Sequence, residues 1–243
     1  TALKTAGATS LGYFYYDIPT VQQATPAIEA IAKGLGIKIV PISISITNPD
    51  WTAAVATAMA DGVGSMWGVL QEGDCTNMVR AARSAGFDGP IAVGSCSAYI
   101  AALGKQAVNT LAVWPYYFPQ LADAAPASIQ SQLKIYTAAM QAAGHGDVLD
   151  SYATASFATT MELSEILKTI NGPVTGETLT AALQKAQVPG FMGPDVNCAG
   201  GVFPGQPTAC NSKILLLKVV DSASGPVRQL LQSDYFDAAA PAG

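Results

Sequence analysis

Three short stretches carry the residue types that could do chemistry: Tyr16, Asp17 and Ile18 in "YYDIP", Leu70, Gln71 and Glu72 in "VLQEG", and Ser95, Cys96, Ser97 and Tyr99 in "GSCSAY". Each follows an apolar run and leads into a segment with helical signals. Tyrosine rings offer flat apolar contact with a polar tip, and a carboxylate can orient a cation. The carboxyl ends of strands in an open α/β sheet are where ligands sit. Plainer readings stand beside this one. Asp17 fits a helix cap, Glu72 fits a solvated loop charge, and Cys96 fits one half of a bridge. Bond-making chemistry is thinly supplied. A hydrolase with Cys96 or Ser97 as nucleophile is the weaker alternative, because "VGSCSA" departs from G-x-S-x-G. The single histidine, His145, lies in the Gly-flanked loop "AGHGD". No GxGxxG follows a strand signal and no P-loop is present, so nucleotide cofactors have no motif here.

The four cysteines are Cys75, Cys96, Cys198 and Cys210. None pairs at CxxC spacing, and one histidine cannot complete a zinc site, so no metal is expected. Cys198 and Cys210 bracket "NCAGGVFPGQPTAC", a Gly- and Pro-rich loop with no core of its own. A bridge there would contribute about 2–3 kcal/mol by restricting the unfolded chain. Cys75 and Cys96 follow neighbouring strand ends, where a bridge is at least as well supported as ligand contact. An even cysteine count with 12% charged residues fits an oxidising compartment. The formal charge is -5 and the pI about 4.7. No basic patch exists, which argues against nucleic acid as a partner. No apolar run reaches the roughly 20 residues that span a bilayer.

The elements that must position these residues alternate. "LGYFYY", "IKIVPISI", "SMWGVL", "PIAVGS" and "TLAVWPYY" read as strands. Between them, "PTVQQATPAIEAIAKGLG", "DWTAAVATAMADG", "DCTNMVRAARSAG" and "AYIAALGKQA" read as helices. The first helix places Ile28, Ile31 and Leu35 at three- and four-residue spacing, with Pro26 as a kink or break. Asp50 and Asp74 are expected N-caps, and Gly62 and Gly86 expected stops. Pro41 marks its strand as bulged or at an edge. Alternation with short connections means a mainly parallel sheet with helices on both faces, an α/β fold of the doubly wound class.

After Pro119 the alternation ceases. "ASIQSQLKIYTAAMQAAG", "VLDSYATASFATTMELSEILKTI" and "VTGETLTAALQKA" are helical, the last with Thr175 as its cap. Three helices with apolar faces are given no sheet of their own. "KILLLKVV" and "GPVRQLL" then read as strands near the end. "TALKTAG" reads as the last turns of a helix with Gly7 as its C-cap. A missing N-terminal sheet of roughly 100 residues, a normal domain size, would give the three helices a partner.

The order of "YYDIPTVQQATPAIEAIAKGLGIKIVPISI", "SMWGVLQEGDCTNMVRAARSAGF", "PIAVGSCSAYIAALG", "WPYYFP", "DSYATASFATTMELSEIL" and "VTGETLTAAL" resembles the C-terminal two thirds of a type I periplasmic solute-binding protein of the branched-chain amino-acid family. The resemblance implies two α/β lobes closing on a solute, joined by three crossovers. It implies a second lobe in residues 1–117, a return to the first lobe in 118–211, and closing strands and a tail of the second lobe in 212–243. Most of the first lobe would be missing. Ligand contacts would come from Tyr16, Asp17, Ile18, Leu70, Gln71, Glu72, Ser95, Cys96, Ser97 and Tyr99. Tyr116 and Tyr117 fit either hinge packing or binding. The implied role is the substrate-binding component of an ABC importer, working with a membrane permease and located outside the cytoplasm, with a lipid anchor as one way of staying there. The solute would be an amino acid or a related carboxylate or amide. The alternative within this fold is an extracellular sensor domain.

Overall fold

The computed structural model describes residues 2–149, 151–200, 202 and 209–238. In chain order the elements are α1 (Ala2–Thr5), β1 (Ser10–Tyr16), α2 (Pro19–Gly34), β2 (Lys38–Ile44), α3 (Trp51–Ala60), β3 (Met66–Gly68), α4 (Glu72–Ser84), β4 (Ile91–Ala92), α5 (Tyr99–Leu103) and β5 (Thr110–Trp114). Then come α6 (Ala127–Ala142), α7 (Ser151–Leu167), α8 (Gly176–Gln184), β6 (Gln187–Val188), β7 (Val196–Asn197), β8 (Lys213–Val220), β9 (Val227–Leu230) and β10 (Phe236–Asp237). They divide into two compact units. One runs to Val113 and takes in Leu216–Leu231, and the other comprises Trp114–Leu215 and residues 232–238. The first division falls a few residues before position 117. The reason is bonding: Tyr116 and Tyr117 engage Glu162 and Met192 of the second unit.

In the first unit five parallel strands run in the order β2-β1-β3-β4-β5, with β8 beside β5 and β9 antiparallel on β8. The chain moves from β1 outward to β2, then back past β1 to β3. That reversal is the switch point of a doubly wound sheet. Strand β1 is apolar on both faces because both are covered. Leu11 packs with Leu3, Ala8, Ala32, Ile37 and Leu111 on one face. Phe14, fully buried, meets Trp51 on the other at 6.1 Å between ring centroids. Each such buried Leu or Phe contributes roughly 1.5–3 kcal/mol. Gly12 allows α3 its close approach: a Cβ at this position would lie 3.2 Å from Ala58 Cβ.

Local signals explain most helix ends, with two corrections. Asp50 caps α3 by accepting from Ala53 N at 2.9 Å, and Gly62 and Gly86 take the positive φ that ends α3 and α4. Asp74, however, is not a cap. Helix α4 starts two residues earlier at Glu72, with Gln71 as N-cap. In α2 the buried positions are Thr25 and Ala32, with Leu35 against the core, whereas Ile31 is 64% exposed. Residues 25, 32 and 35 fall on one helical face, and 31 lies to its side. Pro41 sits in β2, the end strand of the order, where its missing N–H costs no ladder bond.

The second unit is mainly helical. Thr175 and Thr178 form a reciprocal capping box at the start of α8. Tyr136 packs against Phe157 at 5.2 Å, and Phe157 against Phe191 at 5.8 Å. Strands β6 and β7 make a two-stranded antiparallel sheet, and β10 pairs antiparallel with the start of β8. Ile135 and Val174 keep more than half of their surface exposed. Cys198 and Cys210 are bridged. Most of the loop they bracket, and the tail beyond 238, lie outside the described residues. Among the described residues no helix is long and apolar enough to cross a membrane.

Candidate functional site

Parallel strands bring their carboxyl ends to one sheet edge, so loops distant in sequence gather there. At the end of β1, Tyr16 is buried. Its hydroxyl donates to Asp74 Oδ2 at 2.6 Å and accepts from Gln71 N at 3.0 Å. Asp74 Oδ1 accepts from Trp51 Nε1 at 3.2 Å. One carboxylate thus ties the β1 tip to the first turns of α3 and α4. Burial, and then the Asp74 carboxylate beside it, push the Tyr16 hydroxyl up to about 12. Asp17 is exposed, and its carboxylate accepts from Gln22 Nε2 rather than capping α2, whose N-cap is Ile18.

At the end of β3, Leu70 is half-buried and Gln71 exposed. Glu72 is neither a solvated charge nor open to solute at Oε1. That oxygen accepts from Ser97 N at 2.7 Å and Ala98 N at 2.6 Å. At the end of β4, Cys96 is buried and bridged to Cys75, so it carries no thiol nucleophile. Ser95 and Ser97 are half-buried. Tyr99 is fully buried, and its hydroxyl pairs with Thr110 Oγ1 at 2.8 Å. Burial raises its pKa, while the Thr110 and Arg228 hydrogen bonds act the other way.

Hydrogen bonds therefore join Tyr16 to Gln71 and Glu72 to Ser97, and the Cys75–Cys96 bridge joins the same elements covalently. Asp17 and Ile18 lie on this edge, with exposed Val69 nearby on β3's exit. Tyr99 is turned away into the core. The side chains of Gln71 and Ser97 carry no hydrogen-bond partner among the described residues. Sequence reasoning missed three contributors. Asp74 read as a cap, and nothing local marks Trp51 or Arg228, whose Nη2 donates to Cys96 O at 2.7 Å from 132 residues away. Among the described residues no group of three or more His, Cys, Asp or Glu could hold a metal ion.

In the second unit, Tyr116 donates to Glu162 Oε2 at 3.3 Å, and Tyr117 is buried, donating its N–H to Met192 O at 2.7 Å. Glu162 is 6% exposed, and its Oε1 accepts from Phe191 N at 3.1 Å. Burial raises the Glu162 carboxyl above the ordinary range, against the Phe191 and Tyr116 bonds. Both tyrosines are thus engaged within the second unit.

An edge of this kind, at the switch of a doubly wound sheet, is where open α/β proteins hold their ligands. A sequence profile described as periplasmic binding protein matches residues 1–209, and the chain belongs to that family. No curated protein sequence matches. Solved structures agree on the fold. A fatty acid ABC transporter substrate-binding protein from Thermomonospora curvata is 17% identical with a TM-score of 0.74, covering 97% of this chain and 62% of its own. The leucine binding protein LivK from Thermotoga maritima is 14% identical with a TM-score of 0.73, over 95% and 62%. A solute binding protein of an ABC transporter from Rhodopseudomonas palustris, in complex with 3,4-dihydroxy benzoic acid, is 15% identical with a TM-score of 0.72, over 99% and 65%. The chain thus spans less than two thirds of the length of these structures. They are binding proteins, not enzymes.

Proposed function

We propose that this chain is part of the substrate-binding component of an ABC importer and captures a small solute at the carboxyl edge of the β1–β5 sheet. The carrying observation is the β1/β3 switch, where Asp17 and Ile18, Leu70 and Gln71, and, one strand further, Ser97 share one edge. Gln71 and Ser97 supply uncommitted hydrogen-bonding groups. Ile18, Leu70 and Val69 supply apolar surface. The solute is an amino acid or a related carboxylate or amide; fatty acid, leucine and 3,4-dihydroxy benzoic acid, named for three similar structures, are all small carboxylates. Further binding surface comes from the portion of the family fold that this chain does not span. A membrane permease takes the solute onward, and the protein works outside the cytoplasm, where a lipid anchor is one means of retention. Native mass spectrometry of protein purified without added ligand tests this: a bound small molecule, lost together with affinity in a Gln71→Ala variant, is the expected result. A protein that neither retains nor binds any small carboxylate or amide by calorimetry would refute it.

A further inference from the structure

The peptide unit between Cys96 and Ser97 is gripped on both sides by side chains of opposite charge. Its N–H, on Ser97, donates to Glu72 Oε1 at 2.7 Å. Its C=O, on Cys96, accepts from Arg228 Nη2 at 2.7 Å. Glu72 comes from the first position of α4 and Arg228 from β9, so two elements far apart in sequence meet on one peptide plane. The following amide, Ala98 N, also donates to Glu72 Oε1 at 2.6 Å. Bonds to ionised partners are the strong members of their class. A flip of this peptide would turn its carbonyl oxygen toward the carboxylate and its N–H toward the guanidinium, so both contacts would become repulsive. The Cys75–Cys96 bridge fixes the same residue from one turn further along α4. Tyr99 is buried with its side chain hydrogen-bonded to Arg228 and its hydroxyl paired with Thr110. All of this lies within the first unit.

We infer that Glu72 and Arg228 are positioning residues: they lock the Cys96–Ser97 peptide plane and thereby set the direction in which the Ser97 hydroxyl meets the solute. The role assigned to Ser97 rests on the binding reading above; the lock itself does not. Glu72 Oε1 is committed to the turn, while its Oε2 is buried with no hydrogen-bond partner among the described residues. Surface turns without such ties sample several backbone states. A lock of this kind removes that ordering cost from the binding step.

The test separates the two claims. Amide exchange is measured by NMR on the 243-residue chain. Glu72→Ala should raise exchange at Ser97 and Ala98 by about tenfold or more, leaving β1 and β3 amides unchanged, since both donors lose their charged acceptor. Glu72→Gln, which keeps an acceptor oxygen, should restore most of the protection. Unchanged exchange in Glu72→Ala, or an equal rise throughout the sheet, overturns the lock. Thermal shifts with leucine, octanoate and 3,4-dihydroxybenzoate form the second arm. A probe that raises the wild-type midpoint should lose its effect in Glu72→Ala and Ser97→Ala and regain part of it in Glu72→Gln. A full shift retained in both Ala variants overturns the positioning role. No shift with any probe in the wild type counts against the binding reading, and the Ser97 role falls with it, while the exchange result still decides the lock.

Discussion

Replacing Tyr16 with Phe keeps the buried ring and deletes one oxygen. Two hydrogen bonds go with it. The bond to Asp74 Oδ2 at 2.6 Å has an ionised acceptor, worth about 1.5–3 kcal/mol, and Gln71 N at 3.0 Å loses a neutral acceptor, worth about 0.5–1.5 kcal/mol. Asp74 is half-buried, so water recovers part of the loss. The expected cost is about 2–3 kcal/mol, or a fall in Tm of about 5–10 °C for a chain of this size. Urea titration followed by circular dichroism measures the first, and a thermal scan the second. A pH series adds a sign. A free tyrosine ionises near 10, whereas in the folded chain Tyr16 holds its proton to about 12. Between these values the unfolded chain sheds a proton that the folded chain keeps, so stability falls as pH rises through the window. The Phe variant should lose less stability across it. A cost under about 0.5 kcal/mol, with the same pH slope as wild type, would show that the Tyr16–Asp74 bond does not hold the edge together.

Three further outcomes are expected. Under mild reductant the half-exposed Cys198–Cys210 bridge should be alkylated first, with Cys75–Cys96, at 0% and 3% exposure, protected until the first unit unfolds; peptide mapping with the reverse order would contradict the burial argument. Asp50→Ala should cost about 1 kcal/mol through loss of the α3 cap, and Ile31→Ser should stay within about 0.5 kcal/mol, both by urea titration; a larger effect at Ile31 would mean that its exposed side chain is covered in solution. Burial raises the folded Glu162 pKa above its unfolded value, so its contribution is complete below that unfolded value and is lost as pH climbs through the folded one. Glu162→Gln should flatten that part of the stability–pH curve, and an unchanged curve would count against a buried ionisable Glu162.

The parallel sheet was legible because strands covered on both faces read as continuous apolar runs, as β1 does. Caps such as Asp50 and Thr175 were legible because their bonds close within three residues. The edge as a whole was legible from topology, since parallel strands share one carboxyl side. The committed state of its groups was not. Asp74 has the residue type and position of a cap, and only the fold shows that Tyr16, 58 residues earlier, claims its carboxylate. Glu72 read as a free charge because its donors lie in another loop. Tyr99 read as an edge residue because proximity in sequence to Ser97 does not show that α5 turns the ring toward Thr110. Arg228 left no trace at all, since two strands, β8 and β5, stand between its own strand and that of its partner. Ile31 was misplaced by spacing alone, because the stripe of α2 is set by which neighbours the sheet offers.

Strand β2 ends the strand order and carries Pro41 and Lys38, both exposed. The chain is half hydrophobic by composition, and an open strand edge is where such chains recruit copies of themselves. A proline gives an incoming strand no N–H to bind, and a lysine makes its approach costly. Both residues thereby blunt this edge against strand-by-strand addition of further copies, and Pro41→Val together with Lys38→Val would open it to such pairing without touching the edge that holds Gln71 and Ser97.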